Sequence, residues 1–387
     1  MQAYFDNSAT TKIRREALDK YISVSEEIYG NPSSLHTLGL LAEKQLDEAR
    51  ESILHSLNER SSTVVFTSSG SEANNLAIFG RAFAKERYMG KAKIITTEGE
   101  HASVSAPFEA LEKMGFKITK IPTKNGILDL GALEAELTAD VILVSVMMVN
   151  NETGALYDTA SVSALIKARC KDALLHVDAT QSYLKMPFTK RSIGADMITL
   201  SSHKIEGPKG VGALVISDSV IKAKGLSPII LGGGQEGGLR SGTENVPAIS
   251  AFGEAVRLGY TELNDAYRYT NELREYIISR LNSEIPEIKP TLPESHSPCI
   301  LNITLPDIKS ETMLHYLSSM GVFVSSGSAC SSNSSHLSSA LIAYGKSEKE
   351  ADSSIRISLS KRNTREEADM LVSALKSGVD RLSRIRR

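Results

Sequence analysis

Residues 141–149 form an almost uninterrupted apolar run, and this run restricts the possible folds of the chain more than any other segment. A strand that is apolar at every position is typical of one buried on both faces, as in a parallel sheet covered by helices. Shorter apolar runs lie at 64–67, 93–97, 174–177 and 196–200, and helical periodicity separates several of them. This alternation predicts an α/β fold with a mainly parallel, helix-covered sheet.

The chain of 387 residues is too long for a single small hydrophobic core. We therefore expect a large domain over residues 15–250 and a smaller α+β domain formed by residues 1–14 and 251–387. A helical pattern from about residue 247 to about residue 281 is expected to bridge the two domains.

The charge and cysteine content argue against several classes of protein. With 44 basic and 46 acidic residues, nothing favours nucleic acid or a membrane surface as the main partner. No apolar run approaches the roughly 18 to 20 residues of a membrane span, and the N-terminus lacks the pattern of a secretory signal. The three cysteines form no disulfide framework and lack metal-site spacing, so we expect a reduced, cytoplasmic protein without a metal site.

Lys204 follows an apolar run and precedes a loop broken by glycines and a proline, residues 207–210. A partly desolvated lysine in such a place is a usable amine nucleophile and can form a Schiff base with a carbonyl cofactor, although a solvated turn lysine is the ordinary alternative. Asp178 ends another apolar strand, where a carboxylate can pair with a protonated pyridine nitrogen or simply cap a helix. Together the two residues indicate a pyridoxal phosphate site.

Gly70 and Ser71 lie in a glycine- and serine-containing loop that opens a helix directly after a strand. Free backbone N–H groups, hydroxyl groups and the positive end of the helix dipole suit a phosphate at such a position. The loop matches neither the GxGxxG dinucleotide-binding fingerprint nor the Walker A phosphate loop. It therefore indicates a single small phosphate. An ordinary serine N-cap is the alternative.

Four other polar residues have two interpretations each. His101 lies at the start of a helix that follows a strand. It is either a helix cap or a group that stacks on the cofactor ring and transfers protons. Asn151 follows the central strand, where it contacts a ring oxygen or forms a turn. Arg356 lies in a segment whose alternating pattern predicts a strand. It either binds a substrate carboxylate or is an ordinary surface residue of that strand. Asn31, in the turn-rich segment 30–34, is a turn residue or a ligand.

Two loops stand out by composition. Residues 231–245 are rich in glycine and contain RSGT at 240–243, which favours close approach to a ligand or a second subunit over a flexible linker. Residues 325–335 contain Cys330 among seven serines. Because cysteine normally prefers an apolar interior, a cysteine among small polar residues is expected to be presented as a nucleophile. We interpret Cys170 and Cys299 as structural.

Several motifs together resemble those of cysteine desulfurases of the iron–sulfur-cluster and nitrogen-fixation type. They are DNSATT (6–11), GNP (30–32), VNNE (149–152), HVDATQ (176–181), HK (203–204), GPKG (207–210), RSGT (240–243) and SSGSAC (325–330). The resemblance runs in the family's order from about residue 3 to about residue 380. It implies a homodimeric, fold-type I enzyme of the class V aminotransferase group, which converts L-cysteine to L-alanine with pyridoxal 5'-phosphate.

The resemblance also implies individual roles. Lys204 would hold the cofactor and act as base, His101 would stack on the ring and transfer protons, and Cys330 would take the sulfur as a persulfide for an acceptor such as an iron–sulfur scaffold. The implied cofactor-binding residues are Gly70, Ser71, Asn151, Asp178, Gln181, Ser201, His203, Lys204 and, from the second subunit, Thr243. Asn31 and Arg356 would bind the carboxylate of L-cysteine.

The sequence departs from the family pattern in places. Ser71 and Ser331 replace threonines that relatives commonly have, and both keep the hydroxyl group. The chain ends at Arg387, where housekeeping members have a longer tail, which leaves docking to the usual scaffold open. Another class V enzyme, such as an aminotransferase or a selenocysteine lyase, would share Lys204 and Asp178 without needing Cys330. A sulfur-carrier module on a degenerate fold would lack Lys204 or Asp178, and both are present.

Overall fold

The computed structural model describes residues 2–85, 90–326 and 338–382. Within these ranges the strands are β1 (Ala3–Tyr4), β2 (Ser62–Thr67), β3 (Lys93–Thr97), β4 (Lys117–Ile121), β5 (Val141–Met147), β6 (Leu174–Asp178), β7 (Met197–Ser201), β8 (Gly212–Ser217), β9 (Lys289–Thr291), β10 (Ile300–Thr304), β11 (Val322–Phe323), β12 (Ser325–Ser326) and β13 (Ser354–Ser358). The helices are α1 (Arg15–Glu27), α2 (Thr37–Ser56), α3 (Gly70–Ala84), α4 (Ala102–Lys113), α5 (Leu130–Glu136), α6 (Thr159–Arg169), α7 (Lys190–Ile193), α8 (Asp218–Lys222), α9 (Val246–Glu284), α10 (Ser310–Ser319), α11 (Ser339–Tyr344), α12 (Glu348–Asp352) and α13 (Arg365–Leu382).

The larger sheet has seven strands in the order β2-β8-β7-β6-β5-β3-β4 within the described residues. β8 runs antiparallel to both of its neighbours, and the other neighbouring pairs are parallel. The central strand β5 is buried at every position, which explains its continuous apolar sequence. The predicted α/β fold with a mainly parallel sheet is confirmed.

Helices cover both faces of this sheet. Successive residues of a strand point to opposite faces, so neighbouring residues of β5 pack in different hydrophobic cores. Leu143 of β5 packs in one core with Leu76 of α3 and Phe108 of α4. The next residue, Val144, belongs to a second core on the other face, together with Ile166 of α6. Both cores are buried, which leaves the two ends of the strands as the places where a ligand can reach the sheet.

A smaller antiparallel sheet has the order β12-β13-β10-β9 and packs its own hydrophobic core against the second half of α9, α10 and α13. Ala3 and Phe5 join this core because β1 pairs with β11. The long helix α9 passes from the first large core at Phe252 to the small core at Ile277. The domain boundary at residue 250 stays a prediction, since α9 continues through it.

β5 ends two residues before the apolar run does. Met148 donates its backbone N–H to the carbonyl oxygen of Asp178 at 2.9 Å, and Asn150 donates to Ala155 at 2.8 Å, so the chain turns back. Apolar residues therefore continue past the strand end and line the turn. No helix among the described residues combines the length and the apolar character needed to cross a bilayer.

Candidate active site

A cleft of about 260 Å³ opens where the parallel strands end. Asp178 is the last residue of β6, Ser201 is the last residue of β7, and His101 follows β3 by four residues. Because the carboxyl ends of neighbouring parallel strands share one edge, residues far apart in sequence meet here. The cleft is lined by Ser69, Gly70, Ser71, Asn74, His101, Ser103, Met147, Val149, Asn151, Asp178, Thr180, Gln181, Ser201, His203 and Lys204.

Lys204 ends a short 3-10 helix, Ser202–Lys204, that directly follows β7. Its Nζ donates hydrogen bonds to the carbonyl oxygens of Ser8 at 2.5 Å and Ala9 at 2.7 Å. The N-terminal segment, which carries the DNSATT motif, therefore passes directly beside the lysine. The structure places the amine at a strand-to-loop corner of the cleft, as the sequence predicts.

The Asp178 carboxylate is buried and held by two donors. Asn74 Nδ2 donates to Oδ2 at 2.8 Å, and the backbone N–H of Thr180 donates to Oδ1 at 2.9 Å. Hydrogen bonds of this kind stabilise the charged form of a carboxylate. A negative charge with fixed orientation at the bottom of a cleft is suited to a protonated ring nitrogen.

Sequence reasoning missed Asn74 and Thr180. Asn74 is 1% exposed and also donates to Ser103 Oγ at 2.8 Å. It lies four residues after Gly70, and this spacing places both residues on one face of α3, a signal that was available in the sequence. Thr180 carried no such signal, because its contact depends on the turn that follows β6.

The His101 side chain caps α4, as one of its two interpretations expects, and it also lines the cleft. Its stacking on a cofactor ring and its role in proton transfer stay predictions. Its Nδ1 accepts a hydrogen bond from the backbone N–H of Ser103 at 3.1 Å and lies 2.8 Å from Ser103 Oγ. An accepting Nδ1 leaves the proton of the neutral ring on Nε2. Although the residue is exposed at the mouth of the cleft, surrounding protein atoms lower the pKa of His101 by desolvation, and the Asp178 carboxylate opposes that effect.

The predicted phosphate site lies at the N-terminus of α3. A Cβ atom added to Gly70 would lie 3.2 Å from Ser201 Cβ and 3.3 Å from Thr180 Oγ1, so a side chain would crowd this cradle. Free N–H groups of the first helical turn favour an anion here. The donor set therefore fits a small phosphate.

His203 lines the same cleft, and its Nδ1 lies 3.1 Å from Thr10 Oγ1. Burial, together with the positive charges of Lys204, Lys185 and Lys209, lowers the pKa of His203 to about 4. The imidazole is therefore neutral near pH 7. It can act as a hydrogen-bonding group beside a phosphate without adding a charge.

Gln181 is oriented by contacts on both sides of its amide. Nε2 donates to the carbonyl oxygen of Ser8 at 3.0 Å, and Oε1 accepts from Lys185 Nζ at 2.8 Å. Burial lowers the pKa of Lys185 to about 8. Asn151 also lines the cleft, and its Nδ2 donates to Glu152 Oε1 at 3.3 Å. Both predicted amides are thus present at the cleft wall.

Arg356 is 3% exposed and lies on β13, in the smaller sheet. Its Nη1 donates to Glu152 Oε1 and to the backbone oxygen of Asn151, both at 3.0 Å, and Nη2 lies 3.3 Å from Asp6 Oδ1. Burial raises the pKa of Glu152, and the positive charge of Arg356 opposes this. The guanidinium is therefore a buried, carboxylate-binding group next to Asn151, and its role with a substrate stays a prediction.

Asn31 and Thr243 lie outside the cleft of their own chain. Both residues are exposed, and Asn31 Oδ1 accepts the backbone N–H of Ser33 at 2.9 Å, which is the contact of a turn residue. The loop that carries Thr243 is tied to the start of α3 by an ion pair between Arg240 and Glu72 at 2.9 Å. Their ligand roles stay predictions.

Cys330 lies outside the described residues. The strand before it, β12, pairs with β13 so that Ser325 is opposite Arg356. Cys170 and Cys299 are both buried, in agreement with structural roles.

A family model for the class V aminotransferases matches residues 3–371. The chain belongs to the class V aminotransferase family. Among members of this family, it is 38% identical to cysteine desulfurase IscS 1 of Archaeoglobus fulgidus, over 98% of this chain and 97% of the relative. It is 39% identical to cysteine desulfurase 2 of Trichormus variabilis, over 99% of this chain and 94% of the relative.

Two solved structures are similar to the chain over nearly its whole length. A NifS-like protein superimposes with a TM-score of 0.90 at 35% identity, covering 97% of this chain and 99% of that one. A structure of SspA in complex with cysteine has a TM-score of 0.80 at 30% identity, covering 94% of this chain and 100% of that one. The expected class V fold is confirmed.

Proposed function

We propose that the chain is a pyridoxal phosphate-dependent cysteine desulfurase, which converts L-cysteine to L-alanine and passes the sulfur to an acceptor. The observation that carries this proposal is the meeting of Lys204, Asp178 and His101 in one cleft of a chain whose full-length relatives are named cysteine desulfurases.

The cleft fits the cofactor in its parts. The cradle at Gly70 and Ser201 would hold the phosphate, together with Ser71 and His203. Asp178 would pair with the pyridine nitrogen, and Asn151 and Gln181 would contact the ring oxygen or its surroundings. When bound, pyridoxal phosphate supplies an electron sink for a carbanion formed at the substrate Cα.

Lys204 and His101 are the proton-transfer groups of the proposal. Lys204 Nζ is within hydrogen-bonding distance of two backbone oxygens, which hold the amine at a defined position. As base it would take the proton from Cα of the substrate. His101 has its Nε2 proton in the neutral form and is open to the cleft, so it can give and take a proton there.

Substrate binding would use Arg356, with Asn31 as the second contact. Arg356 already binds the carboxylates of Glu152 and Asp6, so its guanidinium would add or exchange a carboxylate partner when L-cysteine enters. The Cys330 thiolate would then attack the substrate sulfur. The substrate C–S bond would break with its electron pair left on Cβ, which would take up a proton to give the methyl group of alanine. The sulfur would remain on Cys330 as a persulfide, and alanine would be released.

We also propose a homodimer in which Thr243 completes the partner's site. Leu231, in the glycine-rich loop that carries Thr243, is 81% exposed, and Leu35, which follows the Asn31 turn, is 94% exposed. Burial in a dimer would remove these apolar side chains from water. The sulfur acceptor would be a protein such as an iron–sulfur scaffold. The cytoplasmic location stays a prediction.

The decisive experiment starts from purified protein. We would record its visible spectrum, add L-cysteine with a reductant, and measure sulfide and alanine together. Equimolar products from a yellow, cofactor-containing protein are expected. Colour without either product would point to another class V reaction, and no colour after addition of pyridoxal phosphate would overturn the proposal.

Two variants test the assigned roles. Cys330→Ala should keep the colour and bind L-cysteine but release no sulfide, whereas the matched controls Cys170→Ala and Cys299→Ala should remain active. Unimpaired turnover of Cys330→Ala would rule out Cys330 as the residue that takes the sulfur.

Lys204→Ala should lose the borohydride-reducible link to the cofactor, and retention of that link would contradict the lysine assignment.

Subunit mixing tests the dimer proposal. Lys204→Ala and Thr243→Ala proteins would be dissociated, mixed and reassociated. If Thr243 serves the partner's site, each mixed dimer contains one intact site and activity rises above that of either variant. If Thr243 serves its own site, no mixed dimer has an intact site and activity does not rise.

A further inference from the structure

The turn 98–101, which presents His101, is tied to the end of β5 by two side chains. Glu100 Oε1 accepts the backbone N–H of Met147 at 2.8 Å and the Thr97 hydroxyl at 2.7 Å. Asn150 Nδ2 donates to the carbonyl oxygen of Gly99 at 3.1 Å. The position of the turn is therefore set by the strand next to it.

The same strand end also sets the position of Asp178. Met147 is the register partner of Asp178 in the β5–β6 pair, and the Met148 N–H donates to the Asp178 carbonyl oxygen at 2.9 Å. Glu100 is thus one of two side chains, with Asn150, that link the turn of His101 to the strand pair that carries Asp178.

The surroundings of Glu100 favour an uncharged acid. The residue is 4% exposed, and its Oε2 is buried without a hydrogen-bond partner in residues 2–85, 90–326 and 338–382. Two titratable groups interact electrostatically with Glu100. The negative charge of Asp178 disfavours a second carboxylate, and a charge on Glu100 raises the pKa of Tyr157. Burial, with the charge of Asp178, raises the pKa of Glu100 to about 8.

A neutral Glu100 has a consequence for His101. The neutral side chain keeps its accepting oxygen for Met147 and adds no negative charge beside the imidazole. An ionised Glu100 would place a second carboxylate near His101, in addition to Asp178, and would favour the charged imidazolium. The neutral Nε2–H form of His101, which the contact with Ser103 indicates, is therefore preserved.

We propose that Glu100, through its hydrogen bonds to Met147 and Thr97, is a positioning residue that fixes His101 relative to Asp178. This inference rests on the proposed role of His101 in proton transfer. It assigns to Glu100 an action through His101, with no contact to the reacting atoms. Glu100→Gln keeps the accepting oxygen and the neutral charge, whereas Glu100→Ala removes the hydrogen bonds to Met147 and Thr97 and leaves only that of Asn150 to Gly99.

The first test uses the cofactor-free protein and the ring NMR signals of its histidines, with His101→Gln to assign the signal. Glu100→Gln should leave the pKa and the Nε2–H form of His101 unchanged, whereas Glu100→Ala should alter them. Asp196→Ala is the matched control, because Asp196 Oδ2 also accepts a strand N–H, from Leu175 at 2.8 Å, away from the cleft. An unchanged His101 signal in Glu100→Ala would overturn the proposal.

The second test is a double-mutant cycle on kcat. Glu100→Ala is expected to lower kcat about 10-fold to 100-fold with little change in KM, because a misplaced proton-transfer group acts on the chemical step. Glu100→Gln should retain most of the activity. In the His101→Gln background, Glu100→Ala should cause no further loss, and a full additional loss would refute action through His101.

The outcomes separate this inference from the proposed function. If the unmodified protein makes no sulfide, or His101→Gln leaves turnover unchanged, the proposed function or the role of His101 fails, while the NMR experiment still decides whether Glu100 positions His101. If Glu100→Ala does not fold, Glu100→Asp replaces it, because the shorter side chain cannot reach Met147 from the same backbone.

Discussion

Glu100 also makes a measurable contribution to the pH dependence of stability. Its pKa rises from an ordinary 4.5 to about 8 in the folded protein, because burial disfavours the charged form. The folded state therefore binds the proton more tightly than the unfolded state does. This contribution is complete below about pH 4.5 and is lost as the pH rises to about 8.

The magnitude follows from the two pKa values. At 1.36 kcal/mol for each pKa unit, the change from 4.5 to about 8 corresponds to about 5 kcal/mol in the free energy of unfolding. From about pH 5 to about pH 7 the expected part is about 2.5 kcal/mol. Glu100→Gln cannot titrate at this position, so the wild type should lose this amount relative to the variant over that interval.

Urea unfolding followed by circular dichroism would measure this difference. Wild type and Glu100→Gln are compared at each pH, so that the other titrating groups cancel. Glu112→Gln, a substitution at an exposed position on α4, is the control and should follow the wild type. A constant difference between wild type and Glu100→Gln from about pH 5 to about pH 7 would show that Glu100 is ionised in the fold, which would refute the reasoning.

Three further substitutions probe the cleft. Asn74→Ala removes the donor to Asp178 Oδ2 and should weaken cofactor binding by about 1.5 to 3 kcal/mol, measured by equilibrium dialysis. The control Asn75→Ala, at the neighbouring position, should bind the cofactor normally. Gly70→Ala places a Cβ 3.2 Å from Ser201 Cβ and should weaken phosphate binding by about 1 to 3 kcal/mol. Unchanged binding would rule out a phosphate site at Gly70. Arg356→Lys loses the two-pronged contact and should raise the KM for L-cysteine at unchanged colour, so an unchanged KM would rule out the clamp.

The local sequence pattern predicted the large sheet well, and the physical reason is burial. A strand covered on both faces must be apolar at every position, and β5 shows this directly. The capping-box pattern at the last helix is also local, and Thr364 and Glu367 make both of its hydrogen bonds, at 3.0 and 3.2 Å. Such features depend on neighbours in sequence, so they can be interpreted without a structure.

The contacts that complete the site are not local. Asn74 and Asp178 are 104 positions apart, and Arg356 and Glu152 are 204 positions apart. No spacing rule relates residues on different elements, because their distance depends on how the sheets and helices pack. Glu100 was missed for this reason, since its significance comes from the Met147 N–H and from burial.

The amino-acid sequence by itself determined the strand and helix pattern, the family resemblance and the candidate pair Lys204 and Asp178. Only the tertiary structure decided which donors hold the Asp178 oxygens, where Arg356 lies and why Glu100 favours its neutral form. The reason is that periodicity and motifs are properties of short segments, whereas hydrogen-bond partners, burial and the resulting pKa changes depend on the packing of distant segments around one cleft.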